Sequence, residues 1–299
     1  MKVAITGASG LIGTAVGAAL RARGDDVIPL VRPGSARTGV TWDPGRGEID
    51  LSGLEGMDAV VHLAGESIAA VWTAARKRQI LESRVVGTSL IATSLGKLQR
   101  PPRVLVSASA IGYYGNHPGG EPVDESAPKG SGFLADVVAQ WEAAAQPARA
   151  AGIRVVHPRF GLVLAKHGGM LKAALPVFYV GLGGRLGSGK QIWSWVSLDD
   201  VAGSVLHLID HGVAGPVNVT APNAVSNAEF TRTLGKAVHR PVLLPAPEFM
   251  LRLAGGAAEE LVLYGVRVVP KKLLDSGYAF RYPELRQALQ AVLAGGVGA

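Results

Sequence analysis

A glycine-rich turn near the start of the chain is the clearest candidate for a chemical site. The residues Thr6-Gly7-Ala8-Ser9-Gly10-Leu11-Ile12-Gly13 follow a short apolar stretch and open a segment with helical spacing. Gly7 allows a tight turn, Gly10 lets the backbone approach an anion, and Gly13 lets the helix pack closely on the strand. Free N–H groups at the helix start then face a phosphate. This pattern predicts a dinucleotide pyrophosphate site.

The end of the second strand indicates which dinucleotide the turn holds. Sites for NAD carry an acidic residue about 20 positions after the glycine turn, where it takes the ribose 2′-hydroxyl. This chain has Arg32 and Pro33 there, with Arg37 shortly after. A guanidinium can pair bidentately with a 2′-phosphate, so NADP(H) is favoured over NAD. The alternative is an exposed loop arginine with no ligand.

Strands and helices alternate along the first half of the chain. Buried strands are predicted over 2–6, 27–31, 59–63, 103–107 and 153–157, and helices over 11–23, 71–98 and 133–151. Residues 112–131 are rich in glycine and proline and are expected to form a surface loop. This alternation predicts an α/β Rossmann fold, a doubly wound parallel sheet, with a smaller C-terminal substrate lobe.

Composition excludes several classes of protein. Hydrophobic residues make up 48% of the 299 residues and charged residues 18%, which is too apolar for a disordered chain. The absence of cysteine excludes disulfides, thiolate nucleophiles and thiolate metal sites. The net charge of +7 includes only two tight groups, Arg76-Lys77-Arg78 and Lys271-Lys272, which solvated surfaces explain. A nucleic-acid partner is therefore not expected.

Other patterns bear on location and metals. The chain opens directly on the first strand, and its apolar runs fall short of the roughly 20 residues that span a bilayer. We therefore expect a cytoplasmic protein without a membrane segment. The seven histidines show no metal-ligand spacing, so no metal site is expected.

Further motifs resemble a known family. His62-Leu63-Ala64-Gly65-Glu66 resembles the extended and atypical short-chain dehydrogenase/reductase superfamily. The runs 107–115, 158–164, 181–184 and 195–200, together with Trp141-Glu142, are similar to its "epimerase family" proteins of uncertain substrate. The resemblance covers essentially the whole chain. It implies a Rossmann domain over 1–220, with substrate-lobe segments interleaved from about 165, and a small helical domain over 248–295.

The resemblance also implies which residues contact the cofactor. Arg84 is included on this ground alone, since a surface position on a helix would explain it equally well. The implied set is Gly7, Ser9, Gly10, Leu11, Ile12, Gly13, Arg32, Leu63, Ala64, Gly65, Arg84, Arg159 and Val163.

The catalytic residues of that superfamily are missing here. Its active members use a tyrosine as acid/base and a lysine four residues later that lowers the tyrosine pKa. Taking Glu142 as an anchor places Leu134 and Val138 at those positions, and no Tyr-x-x-x-Lys occurs between residues 112 and 158. The remaining candidates are Ser109, Glu66 and Tyr113, each with an ordinary alternative: backbone capping for Ser109, helix capping for Glu66 and packing for Tyr113.

Two functions follow from these motifs. The first is an NADP(H)-dependent oxidoreductase or nucleotide-sugar-epimerase-like enzyme that acts on a small polar substrate with unusual proton-transfer residues. The alternative is an NADPH-binding sensor that has lost turnover. A monomer and a homodimer are both compatible with the sequence.

Overall fold

A computed structural model describes residues 1–246, 248, 257 and 259–295. The strands are β1 Lys2–Thr6, β2 Asp26–Val31, β3 Val40–Asp43, β4 Glu48–Ile49, β5 Ala59–His62, β6 Val104–Ser107, β7 Ser109–Ala110, β8 Pro122–Val123, β9 Arg154–Phe160, β10 Leu162–Leu164, β11 Ile192–Trp193, β12 Trp195–Ser197, β13 Gly215–Val219, β14 Val225–Ser226 and β15 Arg267–Val268.

Helices alternate with these strands. They are α1 Leu11–Ala22, α2 Leu51–Leu54, α3 Ala74–Leu95, α4 Phe133–Ala143, α5 Gln146–Ala150, α6 Gly169–Tyr179, α7 Leu198–Asp210, α8 Asn227–Ala237, α9 Lys271–Asp275 and α10 Leu285–Ala294. A 3₁₀ turn covers Ile111–Tyr114 and a π-helical turn covers Glu259–Leu263. The predicted helix over 133–151 is divided in two near Pro147, which stands at the start of α5.

One large sheet organises the molecule, in the order β13-β9-β6-β5-β1-β2-β3-β4. Neighbours from β13 to β3 are parallel, and β4 closes the edge antiparallel to β3. The short strands β3 and β4 were not predicted. The parallel order confirms the predicted Rossmann architecture, because strands joined through helices pair in parallel.

Both faces of the sheet are covered by helices. In β1, Val3 and Ile5 face a core built with α1 and α7, whereas Ala4 faces a core built with α3 and α5. This alternation follows from the two-residue repeat of a strand. A doubly wound sheet buries both faces, which explains why its strands are uniformly apolar.

A second lobe has its own core, built from segments before and after β13. α6, α8 and α10 pack around a separate core that contains Leu171, Trp195, Phe230 and Leu289. The C-terminal segment is tied back to the first half, since β15 pairs in parallel with β8 inside the predicted surface loop. The predicted helical region from residue 248 lies partly outside the described residues. Across the described part of the chain, no helix is long and apolar enough to cross a membrane.

Candidate functional site

The carboxyl ends of six parallel strands meet at one edge of the sheet. Thr6, Val31, His62, Ser107, Phe160 and Val219 close β1, β2, β5, β6, β9 and β13. In open α/β sheets this edge holds the ligand crevice. The residues that follow these strands therefore form the candidate site.

The glycine turn forms a cradle that has no room for side chains. A Cβ on Gly13 would lie 2.1 Å from the carbonyl oxygen of Gly7, and a Cβ on Gly7 would lie 2.9 Å from the carbonyl carbon of Leu63. Gly10 caps α1 without a side-chain hydrogen bond, and Ser9 and Gly10 are exposed. The start of α1 therefore offers backbone N–H groups and the positive end of its dipole to an anion.

A buried hydroxyl joins the ends of β1 and β5. Thr6 Oγ1 accepts hydrogen bonds from the N–H groups of Leu63 and Ala64, at 3.0 and 3.2 Å, and lies 2.7 Å from His62 Nδ1. Burial lowers the pKa of His62 to about 4, so the ring is neutral at pH 7. The Thr6 hydroxyl then donates to Nδ1, which places the His62 proton on Nε2. This network fixes the backbone of Leu63 and Ala64 beside Gly7.

Two arginines border this cleft at different points. Arg32 is exposed directly after β2, where a 2′-phosphate of a bound dinucleotide is expected. Arg84 projects from α3, and a Cβ on Gly65 would lie 3.5 Å from its guanidinium carbon. Burial lowers the pKa of Arg84 to about 10, which leaves it cationic at neutral pH. Arg84 therefore connects the segment after β5 with the cavity beyond it.

That cavity has a volume of about 260 Å³ and lies between α3, α4 and the C-terminal segment. Aromatic and aliphatic side chains dominate its wall, and three titratable residues, Arg84, Glu260 and Tyr264, join them. Leu134 and Val138 both line it. The positions assigned from the sequence to the missing tyrosine and lysine therefore face the cavity as alkyl groups.

A buried ion pair lies beside the cavity. Glu142 accepts hydrogen bonds from Arg159 Nε at 2.7 Å, from Arg159 Nη2 at 2.8 Å and from the Ser109 hydroxyl at 2.6 Å. Arg159 Nη1 also donates to the Tyr114 hydroxyl, which in turn donates to Asn218 Oδ1. Burial disfavours the charged forms of both residues, but their hydrogen bonds and mutual attraction have the larger combined effect. The pKa of Glu142 is therefore lowered and that of Arg159 is raised.

Three of the predicted site residues either belong to this hydrogen-bond network or pack against it. Arg159 is only 3% exposed and its guanidinium is committed to Glu142 and Tyr114, so it can reach a cofactor only through its backbone. Ser109 is committed to Glu142 as well. Tyr113 lies with its ring 3.5 Å from the Arg159 guanidinium carbon. Tyr113 therefore packs against the guanidinium of Arg159.

The third catalytic candidate is on the surface. The Glu66 carboxylate is about half exposed and pairs with Arg76 at 3.3 Å. Among the described residues that line the cavity, Ser109, Glu66 and Tyr113 are absent. Their catalytic roles stay predictions.

Three of the residues predicted to contact the cofactor lie against the protein core. Leu11, Ile12 and Val163 are partly buried and pack against the core that includes β1.

Sequence reasoning missed the wall that the C-terminal segment supplies. Glu260 Oε1 and Oε2 accept hydrogen bonds from the N–H groups of Phe133 and Leu134, which holds the π-helical turn on the start of α4. Tyr264 lines the cavity a few residues later. Glu260 is 127 and 126 residues away from Phe133 and Leu134 in the sequence, so no local pattern could reveal the contact. No cluster of metal-ligating side chains occurs among the described residues.

Comparison with known proteins identifies the family. The model of the NAD dependent epimerase/dehydratase family matches residues 3–220, and a domain of unknown function, DUF1731, matches residues 246–292. The chain belongs to the NAD dependent epimerase/dehydratase family. The resemblance inferred from the motifs is thereby confirmed.

Relatives in this epimerase/dehydratase family match over nearly their full length. An epimerase family protein of Mycobacterium tuberculosis is 43% identical over 291 residues, covering 96% of each chain. The human epimerase family protein SDR39U1 is 36% identical over 301 residues, covering 98% of this chain and all of the human one.

Solved structures show the same fold. The crystal structure of human SDR39U1 with NADPH superposes with a TM-score of 0.90, at 34% identity, covering 99% of this chain and 100% of that one. A nucleoside-diphosphate sugar epimerase from Corynebacterium glutamicum superposes with a TM-score of 0.82 at 35% identity, covering 98% of this chain and 58% of that chain.

Proposed function

We propose that this protein is an NADP(H)-dependent oxidoreductase of the epimerase type, with its substrate in the 260 Å³ cavity. The observation that carries the proposal is the exposed start of α1 at the glycine turn, which has no side-chain cap and so offers its backbone N–H groups to a phosphate. The human relative solved with NADPH supports the choice of cofactor, as does Arg32 where NAD sites have an acid.

Different parts of the site would bind different parts of the cofactor. The cradle and the start of α1 would hold the pyrophosphate, Arg32 would hold the 2′-phosphate, and Leu63 to Gly65 would support the ribose beside Arg84. When bound, NADPH supplies a hydride for transfer.

A titration of NADPH, NADP⁺ and NADH into the full chain tests the proposal. We expect NADPH to bind more tightly than NADH, with Ser9→Glu weakening both because a carboxylate then faces the pyrophosphate. Ala18→Glu adds the same charge to an exposed site further along α1 and should leave binding unchanged. If Ser9→Glu has no effect on affinity, the cradle is not the site.

Two arginine variants test the choice of dinucleotide. Arg32→Ala should reduce NADPH affinity about tenfold or more and leave NADH affinity nearly unchanged, because only NADPH has the 2′-phosphate. Arg149→Ala serves as the control, since Arg149 is exposed on α5 ahead of β9, at the opposite edge of the sheet. Equal losses for NADPH and NADH would contradict the role of Arg32.

A second function is favoured by one observation, the alkyl side chains of Leu134 and Val138 in the cavity. A protein that binds NADP(H) without turnover would need no proton donor there. The two functions differ in one result. A sensor binds NADPH but leaves its absorbance unchanged with every carbonyl substrate offered, whereas an oxidoreductase oxidises NADPH with at least one.

A further inference from the structure

The wall of the cavity is chemically unlike a sugar site. Its largest side chains are Trp141, Phe160, Trp193 and Tyr264, and Leu134 and Val138 complete the surface of α4. Aromatic and aliphatic walls stabilise flat apolar molecules through burial and stacking. A nucleotide sugar, in contrast, would leave hydroxyl groups without partners against these walls.

The polar groups of the wall are already engaged. Both carboxylate oxygens of Glu260 accept backbone N–H groups of α4. The Ser194 hydroxyl donates to the carbonyl of Val266 and accepts from the N–H of Val268. Arg84 donates to the carbonyl of Ile80 and lies 5.1 Å from the Trp141 ring, yet keeps its positive charge in the wall. The cavity thus combines apolar surfaces with the Arg84 cation and with a carboxylate, Glu260, that is held on the start of α4.

The lining also limits the chemistry. An ordinary carbonyl develops a basic alkoxide when a hydride adds, and a positioned acid must protonate it. Leu134 and Val138, at the positions assigned to the tyrosine and lysine of active members, cannot supply that proton, which leaves the Tyr264 phenol as the one neutral acid among the described lining residues. A substrate whose reduction product is a stable anion avoids the requirement, and a neighbouring cation is enough to stabilise it.

We propose, building on the proposed NADP(H)-dependent function, that the cavity binds a planar apolar quinone and reduces it to the hydroquinone. The quinone would accept a hydride from bound NADPH, which is one proton and two electrons, to become a hydroquinone monoanion and leave NADP⁺. Arg84 stabilises the negative oxygen. One H⁺ from the buffered solvent then completes the hydroquinone, so that quinone, NADPH and H⁺ give hydroquinone and NADP⁺.

Binding and turnover of menadione, compared with UDP-glucose, test this inference. The chain has no cysteine, so quinone addition to thiols does not complicate the measurement. Trp141 and Trp193 line the cavity, and menadione bound there should quench their fluorescence. We expect saturable quenching, a matching calorimetric affinity and loss of NADPH absorbance with menadione, and none of these with UDP-glucose.

A pair of variants locates the binding. Leu134→Asn places an amide in the apolar wall and should weaken menadione binding about tenfold or more, while NADPH affinity stays unchanged. Val180→Asn makes the same type of change at an exposed position and should alter neither. Retained NADPH affinity shows that Leu134→Asn is folded. If it does not fold, the wild-type comparison of menadione with UDP-glucose still decides.

The outcomes separate the two proposals. Binding of UDP-glucose but not menadione overturns the quinone inference and leaves the NADP(H)-dependent function in place. Menadione that binds without Leu134 dependence, or that binds without being reduced, also overturns it. Failure of NADPH to bind instead removes the proposed function, whatever menadione does.

Discussion

Glu142 and Arg159 are opposite charges in the interior, with only 13% and 3% of their side chains exposed. Removing one partner of such a pair leaves the other desolvated and uncompensated. We expect Glu142→Ala to lower the free energy of unfolding by about 3–5 kcal/mol. Chemical denaturation would measure it.

An exposed pair provides the comparison. Asp275→Asn removes the partner of Lys271 on α9, where both side chains are more than half exposed, and should have little effect because water screens such pairs. A similar loss of stability in both variants would show that the cost in Glu142→Ala does not come from the buried charge.

His157 makes stability depend on pH. The residue is 1% exposed, and burial lowers its pKa to about 4 from 6.5. Between these two pH values the unfolded chain binds more protons than the folded one. The contribution of His157 to the free energy of unfolding is therefore fully present above pH 6.5 and is lost as the pH falls towards 4. We expect His157→Leu to show a shallower fall in unfolding free energy over this range.

The exposed His167 offers a matched change. His167→Leu should leave the pH dependence of stability as in the wild type. An unchanged slope in His157→Leu would mean that other groups carry the acid sensitivity of the fold.

At the scale of single elements, the contact between α1 and the glycine turn sets how closely helix and strand approach. A Cβ on Gly13 would lie 2.1 Å from a backbone oxygen, which cannot move independently of β1. Gly13→Ala should therefore destabilise the protein by about 1–3 kcal/mol or more. Gly212→Ala is the control, because a Cβ there meets nothing within 4 Å. Thermal unfolding of both variants checks the prediction, and equal midpoints would contradict it.

Elements with a strong periodic pattern could be predicted from the sequence. β1, α1, β2, β5 and β6 lie within one or two residues of their predicted bounds, because apolar runs and glycine stops define them locally. β8 and β15 could not be found, since each has two residues and exists only through pairing with the other. The glycine cradle belongs to the first kind of feature and the cavity to the second.

At the scale of the whole molecule, Glu260 joins the C-terminal segment to the first half. Its carboxylate caps the N–H groups of Phe133 and Leu134. Glu260→Ala should lower stability by about 1 kcal/mol, as expected for the loss of a helix cap, and should speed hydrogen exchange at both amides.

The exposed Glu121 provides the matching control for that change. Glu121→Ala should leave exchange at Phe133 and Leu134 unaffected. Unchanged exchange at these amides in Glu260→Ala would show that the contact does not hold the segment in place.

Because the C-terminal wall of the cavity comes late in the sequence, the two parts of the site can form one after the other during synthesis. The glycine turn and the parallel strands of the large sheet, through β13, precede residue 220, so the nucleotide half can fold while the ribosome still holds the following segment. Residues 260–266 emerge later and close the cavity. A nascent chain at that stage is therefore expected to recognise dinucleotide before it can enclose a substrate.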